Sequence, residues 1–204
     1  MLTSSSTVDQ SGFADGTREA QQVFRCCLQA LSRPAIPVTI ATALPRIGGM
    51  APASAAVLLA LADFETAVWL DAAARATPDI SAYLRFHTGA RICASPADAD
   101  FALVLDPTEM PPLGSFKQGT PDYPDRSTSV LMQVARLYAL GQSFKGPGID
   151  GKATFWAAPL PRDFPEQLAR NRRCFPCGVD LLFVAGNEMA GLPRSAAIQV
   201  TGSN

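Results

Sequence analysis

Helical and strand periodicities take turns along the first half of this chain, and that alternation limits the folds open to it. Between Arg18 and Pro34 the apolar residues recur at helical spacing, and Ile36, Val38 and Ile40 then alternate with other residues as in a strand. The same interleaving continues with a buried helix over 53–62, a strand over 67–70, a helix over 77–87 and strands over 91–93 and 101–105. It predicts an α/β fold, a three-layer sandwich with a mixed sheet between helices.

One of these helices carries its own boundary signals. Thr77-Pro78-Asp79 is typical of a helix start, with a hydroxyl cap, a proline at the first position and a carboxylate in the first turn. Gly89 is expected to end that helix.

The second half of the chain contains fewer helical segments. Residues 106–128 hold five prolines and two glycines, which predicts a long irregular loop of the kind that is often functional. Val130–Leu137 is mostly apolar in both registers and predicts one central strand, with a turn at Gly141. Further along we expect a helix over 163–173, a strand over 179–185 and its hairpin partner over 188–192.

Length and composition favour one domain with a buried face. A chain of 204 residues favours a single domain over two small ones. Charged residues make up 17% of it, below the roughly 25% of an average globular domain, so we infer that some surface is buried against partners. Residues 1–14 are rich in Ser and Thr and are predicted to be flexible, and residues 15–204 are predicted to form the domain.

Charge, hydropathy and cysteine usage argue against several classes of protein. A net charge of −1 does not suit a nucleic-acid binder. No apolar run reaches about 18 residues, so no membrane span is predicted, and the N-terminus has no basic flank before an apolar stretch, so we expect no signal peptide. Five cysteines do not form a secreted disulfide framework, and reduced thiols in the cytoplasm fit better.

A glycine-rich stretch nearly matches a phosphate-binding loop. The run from Gly146 to Thr154 approaches the pattern G-x-x-x-x-G-K-[ST]. However, Ala153 stands where the hydroxyl belongs, and Pro147 removes an N–H from the cradle. We therefore interpret the stretch as a turn at a strand end.

The pair Cys174-Phe-Pro-Cys177 has the spacing of a thioredoxin-like redox site. It follows a predicted helix and precedes a strand, which reverses the arrangement that lowers a cysteine pKa. Zinc would need four ligands, and His87 is the only histidine in the chain. We therefore expect the isolated protein to carry neither a redox centre nor a metal.

Three charged positions remain candidates for chemistry. His87 lies beside Arg85 near a predicted helix end, where a histidine more often makes a structural hydrogen bond, and no G-x-S-x-G elbow accompanies it. Asp180 opens an apolar strand and fits a catalytic carboxylate or a backbone cap equally well. No apolar pocket for a Schiff-base lysine is evident around any of the three lysines, which are Lys117, Lys145 and Lys152, so no chromophore is expected either.

Several stretches, in order, resemble the PhnH family. They are Ala30-Leu31-Ser32-Arg33-Pro34, Tyr83-Leu84-Arg85-Phe86-His87-Thr88-Gly89, Gly119-Thr120-Pro121, Gly146-Pro147-Gly148-Ile149, Phe175-Pro176, Gly178-Val179-Asp180-Leu181 and Leu192-Pro193-Arg194. The similarity spans about residues 18–200. The chain departs from the family pattern at Ala35, where the family usually has glycine, and at Cys177, and Lys152 lies outside the pattern.

This resemblance implies a fold like the large domain of pyridoxal-phosphate-dependent transferases, without the cofactor. It also implies a homodimer and a cytosolic complex with the PhnG, PhnI and PhnJ subunits. That complex places a phosphonate on ribose C1 of ATP with loss of adenine, and later breaks the carbon–phosphorus bond by radical chemistry on an iron–sulfur subunit. The candidate ligand or subunit contacts on the matching stretches are Arg85, His87, Gly146, Gly148, Asp180 and Arg194.

Two main hypotheses follow, from different classes of protein. The first is a binding and scaffolding subunit without a catalytic residue, which forms a dimer through an apolar patch. The alternative is an enzyme subunit with a shallow phosphonate or nucleotide site built from Arg85, His87 and Asp180. Whether these three side chains converge on one cleft distinguishes the two. A pyridoxal-phosphate enzyme is a third possibility, for which the chain is too short.

Overall fold

The computed structural model describes residues 11–199, so most of the segment predicted to be flexible, residues 1–14, lies outside the described residues. The helices are α1 (Gly16–Ser32), α2 (Pro52–Leu61), α3 (Ala72–Arg75), α4 (Pro78–Thr88) and α5 (Phe164–Arg173). The strands are β1 (Val38–Thr39), β2 (Ala67–Leu70), β3 (Arg91–Cys93), β4 (Phe101–Val104), β5 (Ser129–Gln133), β6 (Arg136–Lys145), β7 (Ala153–Ala158), β8 (Asp180–Ala185), β9 (Glu188–Leu192) and β10 (Ala197–Gln199). Within this range no helix is long and apolar enough to cross a bilayer.

Seven strands form the main sheet, in the order β1-β9-β8-β5-β4-β2-β3. β3, β2, β4, β5 and β8 run parallel, whereas β9 is antiparallel to both β8 and β1. β2 is buried along its whole length, as expected of a parallel strand covered on both faces. The remaining strands form a small antiparallel sheet in the order β10-β6-β7. The predicted α/β fold with a mixed sheet is therefore confirmed.

The main sheet separates two hydrophobic cores. Along β8, Leu182 and Val184 face the core formed with α1, α2 and α4. Leu181 and Phe183 face the other core, which α5, the small sheet and the loop after β4 cover. Because side chains alternate along a strand, one apolar strand serves both cores.

α1 forms where the sequence predicts a helix, but Phe24 and Leu28 of its predicted apolar face are exposed. The Asp15 carboxylate caps it by accepting a hydrogen bond from the Arg18 N–H at 3.0 Å. Its buried stripe consists of Val23, Cys27 and Ala30. The helix backbone lies directly against β9, since a Cβ built on Gly191 would come within 2.5 Å of the Ala30 carbonyl oxygen. A side chain at position 191 would push the helix off the sheet.

Three local predictions are wrong. Val130–Leu137 is not one strand, because the Val134 N–H still donates to Val184 of the main sheet, whereas the Ala135 N–H donates to Ala158 of the small sheet. Gly141 is not a turn between strands but lies in a bulge within β6, where residues 139–141 are looped out between Tyr138 and Gln142. α4 does begin at Pro78, but the Thr77 side chain makes no capping hydrogen bond.

Candidate functional site

Asp180 and Arg194, two of the sequence candidates, form an ion pair. Asp180 opens β8, and Arg194 follows β9 on the same hairpin. The Arg194 backbone N–H and Nε both donate to Asp180 Oδ1, at 2.8 and 3.1 Å, and Nη2 donates to Oδ2. Nη1 of the same guanidinium donates to the carbonyl oxygen of Pro124. Both side chains are mostly buried, with 20% and 13% of their surface exposed.

This pair clamps the long loop to the main sheet. A two-pronged guanidinium–carboxylate contact fixes orientation as well as distance. Because Pro124 lies in the loop between β4 and β5, the clamp joins that loop to the β8–β9 hairpin. Both oxygens of Asp180 are occupied, so the carboxylate is arranged for structure and not for proton transfer.

Gly146 and Gly148 also make close backbone contacts. They lie between β6 and β7, as the strand-end interpretation predicts. A Cβ on Gly146 would lie 2.9 Å from the Ser195 carbonyl oxygen, and a Cβ on Gly148 would overlap the carbonyl oxygen of Ser32 at the end of α1. The space beside these glycines is therefore filled by the protein's own backbone.

His87 lies in the last turn of α4 and packs against the N-terminal segment. Its ring centroid is 4.3 Å from that of Tyr83, whose hydroxyl donates to the Ser11 carbonyl oxygen at 3.2 Å. A Cβ on Gly12 would lie 2.7 Å from Nδ1 of His87. A shallow pocket of about 340 Å³ lies here, lined by Gly12, Phe13, Gly16, Ala20, Leu59 and His87. Arg85 is exposed.

Arg85 and His87 do not converge with Asp180. α4 leads into β3 at one edge of the main sheet, whereas Asp180 begins β8, and β2, β4 and β5 lie between those two strands. Four steps between neighbouring strands amount to roughly 19 Å. Sequence reasoning placed these three residues in one possible site, and the fold distributes them over two places.

A pocket that sequence reasoning missed lies at the carboxyl ends of β2, β3 and β4. Its volume is about 720 Å³, and its lining includes Trp69, Asp71, Arg75, Glu109 and Pro111. In the sheet, β3 lies on one side of the neighbouring strands β2 and β4, and β5 lies on the other. The connection after β2 and the connection after β4 therefore run in opposite directions, and the pocket lies where they separate. Open α/β sheets bind ligands in that position.

The polar groups of this pocket are largely engaged within the protein. The buried Asp71 carboxylate accepts hydrogen bonds from the backbone N–H groups of Ala74, Leu105 and Asp106, each at 2.8 Å. Arg75 lies 5.3 Å over the Trp69 ring and donates one hydrogen bond to the Ala94 carbonyl oxygen at 3.0 Å. The other N–H groups of Arg75 are available to a small anion. The sequence signal that could have indicated this pocket is the carboxylate of Asp71, which directly follows the buried strand β2.

The cysteines of residues 11–199 are all free thiols. Cys174 is exposed and Cys177 half-buried, between α5 and β8, where the sequence places them. Burial raises the pKa of the Cys27 thiol to about 12. No three His, Cys, Asp or Glu side chains in this range are close enough to hold a metal ion together.

Comparison with known proteins identifies the family. The family model described as "Bacterial phosphonate metabolism protein (PhnH)" matches residues 11–199. A relative from Rhizobium meliloti (strain 1021), named alpha-D-ribose 1-methylphosphonate 5-triphosphate synthase subunit PhnH, is 34% identical over 200 residues, which cover 97% of this chain and 99% of the relative. A putative C-P lyase subunit protein HtxG from Stutzerimonas stutzeri is 32% identical over 108 residues, which cover 52% of this chain and 51% of that protein. The match to the family model over all of the described residues, together with a relative aligned from end to end, means that this chain belongs to the PhnH family.

Proposed function

We propose that this chain is a non-catalytic subunit of the carbon–phosphorus lyase machinery of phosphonate catabolism. It would support formation of ribose 1-phosphonate 5-triphosphate from ATP and a phosphonate, and later cleavage of the carbon–phosphorus bond. The observation that carries this proposal is the end-to-end alignment with a relative whose name is that of a synthase subunit. Because the alignment covers almost the whole of both chains, it supports a shared role of the whole protein and not only a shared domain.

The side chains nominated for chemistry support a non-catalytic role. Asp180 has both oxygens occupied by Arg194, and Gly146 and Gly148 serve close packing. Arg85 and His87 lie several strands away from Asp180. A general acid or base must reach the proton that it transfers, and these groups share no common reacting position.

The finer properties of the subunit are proposals as well. We propose a homodimer when the protein is isolated, assembly with the PhnG, PhnI and PhnJ subunits, and a cytoplasmic location. We also propose kinship with the large domain of pyridoxal-phosphate-dependent transferases, without the cofactor. A mixed seven-stranded sheet with helices on both faces supports that kinship. All three lysines are half-buried or exposed, and Lys117 is engaged in an ion pair with Asp100 at 2.8 Å.

The test compares the reconstituted complex with the isolated chain. A tagged copy is co-expressed with PhnG, PhnI and PhnJ of the same source, and the purified assembly is supplied with ATP and methylphosphonate. We expect all four proteins to co-purify, adenine to be released, and the chain alone to release none. Failure to co-purify, or adenine release by the isolated chain, would contradict the proposal.

A further inference from the structure

Two phenylalanines on one end of the molecule are the most exposed large apolar side chains in residues 11–199. Phe64 is 74% exposed and Phe86 is 69% exposed. Single exposed apolar residues are common, but two aromatic side chains of this exposure on adjoining segments are typical of a contact surface.

Phe64 lies against the end of the helix that carries Phe86, and Gly89 is the point of contact. This residue ends α4 with a left-handed backbone, φ 72°, and a Cβ built on it would lie 3.2 Å from Cβ of Phe64. Phe64 belongs to the turn after α2, and Phe86 belongs to the last turn of α4. The turn and the helix end are therefore in contact. We call Phe64, Glu65, Arg85 and Phe86 the Phe64–Phe86 patch.

The patch carries one unpaired charge of each sign. Glu65 and Arg85 are both exposed, and neither takes part in the ion pairs of the described residues. Asp63 is occupied within its own turn, where the Thr66 hydroxyl and the Glu65 N–H donate to its carboxylate and lower its pKa. The ring of His87 is turned toward Gly12. The negative charge thus stands beside Phe64 and the positive charge beside Phe86.

This arrangement is complementary to a copy of itself. In a two-fold symmetric contact, residue i of one protomer meets residue j of its partner, and j meets i. We propose that the Phe64–Phe86 patch is the contact between two copies of this chain, with Phe64 against Phe86 and Glu65 paired with Arg85 across the two-fold axis. The inference rests on the proposed homodimer and deepens it by naming the surface.

A second exposed apolar surface does not have this property. Phe24 and Leu28 lie one turn apart on α1, and the exposed charges beside them, Arg25 and Arg33, are both positive. A two-fold contact there would set like charges against each other. That surface fits an acidic partner better than a copy of this chain.

The size of the Phe64–Phe86 patch predicts a dimer that dissociates on dilution. Four phenylalanine rings of this exposure supply roughly 400–700 Å² of buried surface. A stable specific interface buries roughly 1,200–2,000 Å², so flanking residues must contribute and the affinity is expected to be micromolar.

The test exchanges charges between the two positions. Glu65→Arg and Arg85→Glu are each expected to weaken the dimer by at least about tenfold in sedimentation velocity, because each variant meets its copy with like charges. An equimolar mixture of the two variants should form a heterodimer with the affinity of the native protein, since both contacts then pair opposite charges. The double variant should form a homodimer again for the same reason.

A control variant and two further measurements distinguish a wrong surface assignment from misfolding and from a wrong proposed function. Arg136→Glu changes an exposed arginine at the start of β6, in the small sheet, and should leave the dimer intact. Thermal unfolding verifies that every variant is folded. A monomeric native protein at all concentrations, dimeric single variants, or a mixture without heterodimers would overturn the surface assignment. Co-purification with PhnG, PhnI and PhnJ tests the proposed function separately, because a subunit role survives any of those results.

Discussion

Two glycines of the β6–β7 connection share a left-handed backbone but differ in their surroundings. Gly148 has φ 79° and Gly151 has φ 66°. A Cβ on Gly151 would have nothing within 4 Å, whereas one on Gly148 would overlap the Ser32 carbonyl oxygen. Alanine substitutions at the two positions therefore separate the cost of the backbone conformation from the cost of a steric overlap.

We expect Gly151→Ala to lower the free energy of unfolding by about 1 kcal/mol, the cost of a left-handed conformation for alanine. Gly148→Ala should lower it by about 2–4 kcal/mol, because it adds a steric overlap with α1 to the same conformational cost. Urea denaturation of both variants measures the difference. Equal losses would mean that the turn does not press on the end of α1.

The backbone conformation of Ala35 could not be predicted from the residue pattern alone. It has φ 67°, is 6% exposed, and occupies the position where the sequence departs from the family's usual glycine. Nothing in an alanine predicts a left-handed backbone, so only the family comparison marked the position. The pocket around Asp71 escaped notice for a related reason, since two of its three N–H donors, those of Leu105 and Asp106, come from a distant segment.

Cys27 makes a prediction about alkaline pH. Burial raises its pKa from 9.0 to about 12, with the adjacent Cys26 as a smaller contribution. A raised pKa means that the folded state favours the neutral thiol, so this contribution to stability is complete below pH 9 and is lost between pH 9 and about pH 12. We expect a shallower alkaline loss of stability for Cys27→Ala than for the native protein.

The measurement is the free energy of unfolding from pH 8 to pH 11 under reducing conditions. Cys174→Ala, an exposed thiol, is the matched control and should follow the native curve. An unchanged slope for Cys27→Ala would contradict the prediction.

At the scale of secondary-structure elements, one ion pair attaches the long loop between β4 and β5 to the main sheet. Arg194 bonds to Asp180 on β8 and to the Pro124 carbonyl oxygen in the loop. Removal of either partner leaves the other largely buried without its counter-charge, which is costlier than the loss of a surface ion pair.

We expect Asp180→Asn and Arg194→Gln each to lower the free energy of unfolding by about 2–4 kcal/mol. The double variant should lose clearly less than the sum of the two, because both changes remove the same interaction. Hydrogen exchange over residues 117–128 should accelerate in Arg194→Gln, since the carbonyl of Pro124 loses its donor. Additive losses with unchanged exchange would argue against the clamp.

The periodicity of the sequence predicted most helices and strands, but it did not predict the sheet to which each strand belongs. Apolar alternation through Val130–Leu137 is the same whether its neighbour is β8 or β7, and the chain changes neighbour between Val134 and Ala135. The local pattern reports which side of a strand is buried, whereas strand pairing depends on distant segments. The small sheet was for that reason not foreseen.

At the scale of the whole molecule, the proposed non-catalytic role makes a prediction about His87. The residue packs between Tyr83 and the Gly12 segment, a place suited to holding a helix end. His87→Asn keeps a donor and an acceptor, so the complex reconstituted with PhnG, PhnI and PhnJ should retain most of its turnover. His87→Ala should lower stability or the yield of complex, by about 1–3 kcal/mol if a buried hydrogen bond is lost.

Turnover of each fully assembled variant is the decisive quantity. Loss of about 100-fold or more in a stable, fully assembled His87→Asn complex, the size expected when a general acid or base is removed, would favour the enzyme hypothesis over the scaffold.

The contact of α1 with Gly191 has a consequence for how the chain folds as it is synthesised. α1 packs on β9, and β1 pairs with β9. Neither α1 nor β1 can therefore dock until β9, which is translated much later, has been synthesised. Until β9 has been synthesised, Val23, Cys27 and Ala30 have no sheet beneath them, so their apolar surface is exposed in the nascent chain. Contacts between such distant segments slow folding. Chaperone supply during expression should therefore influence the soluble yield of this protein more than the stability of its finished fold does.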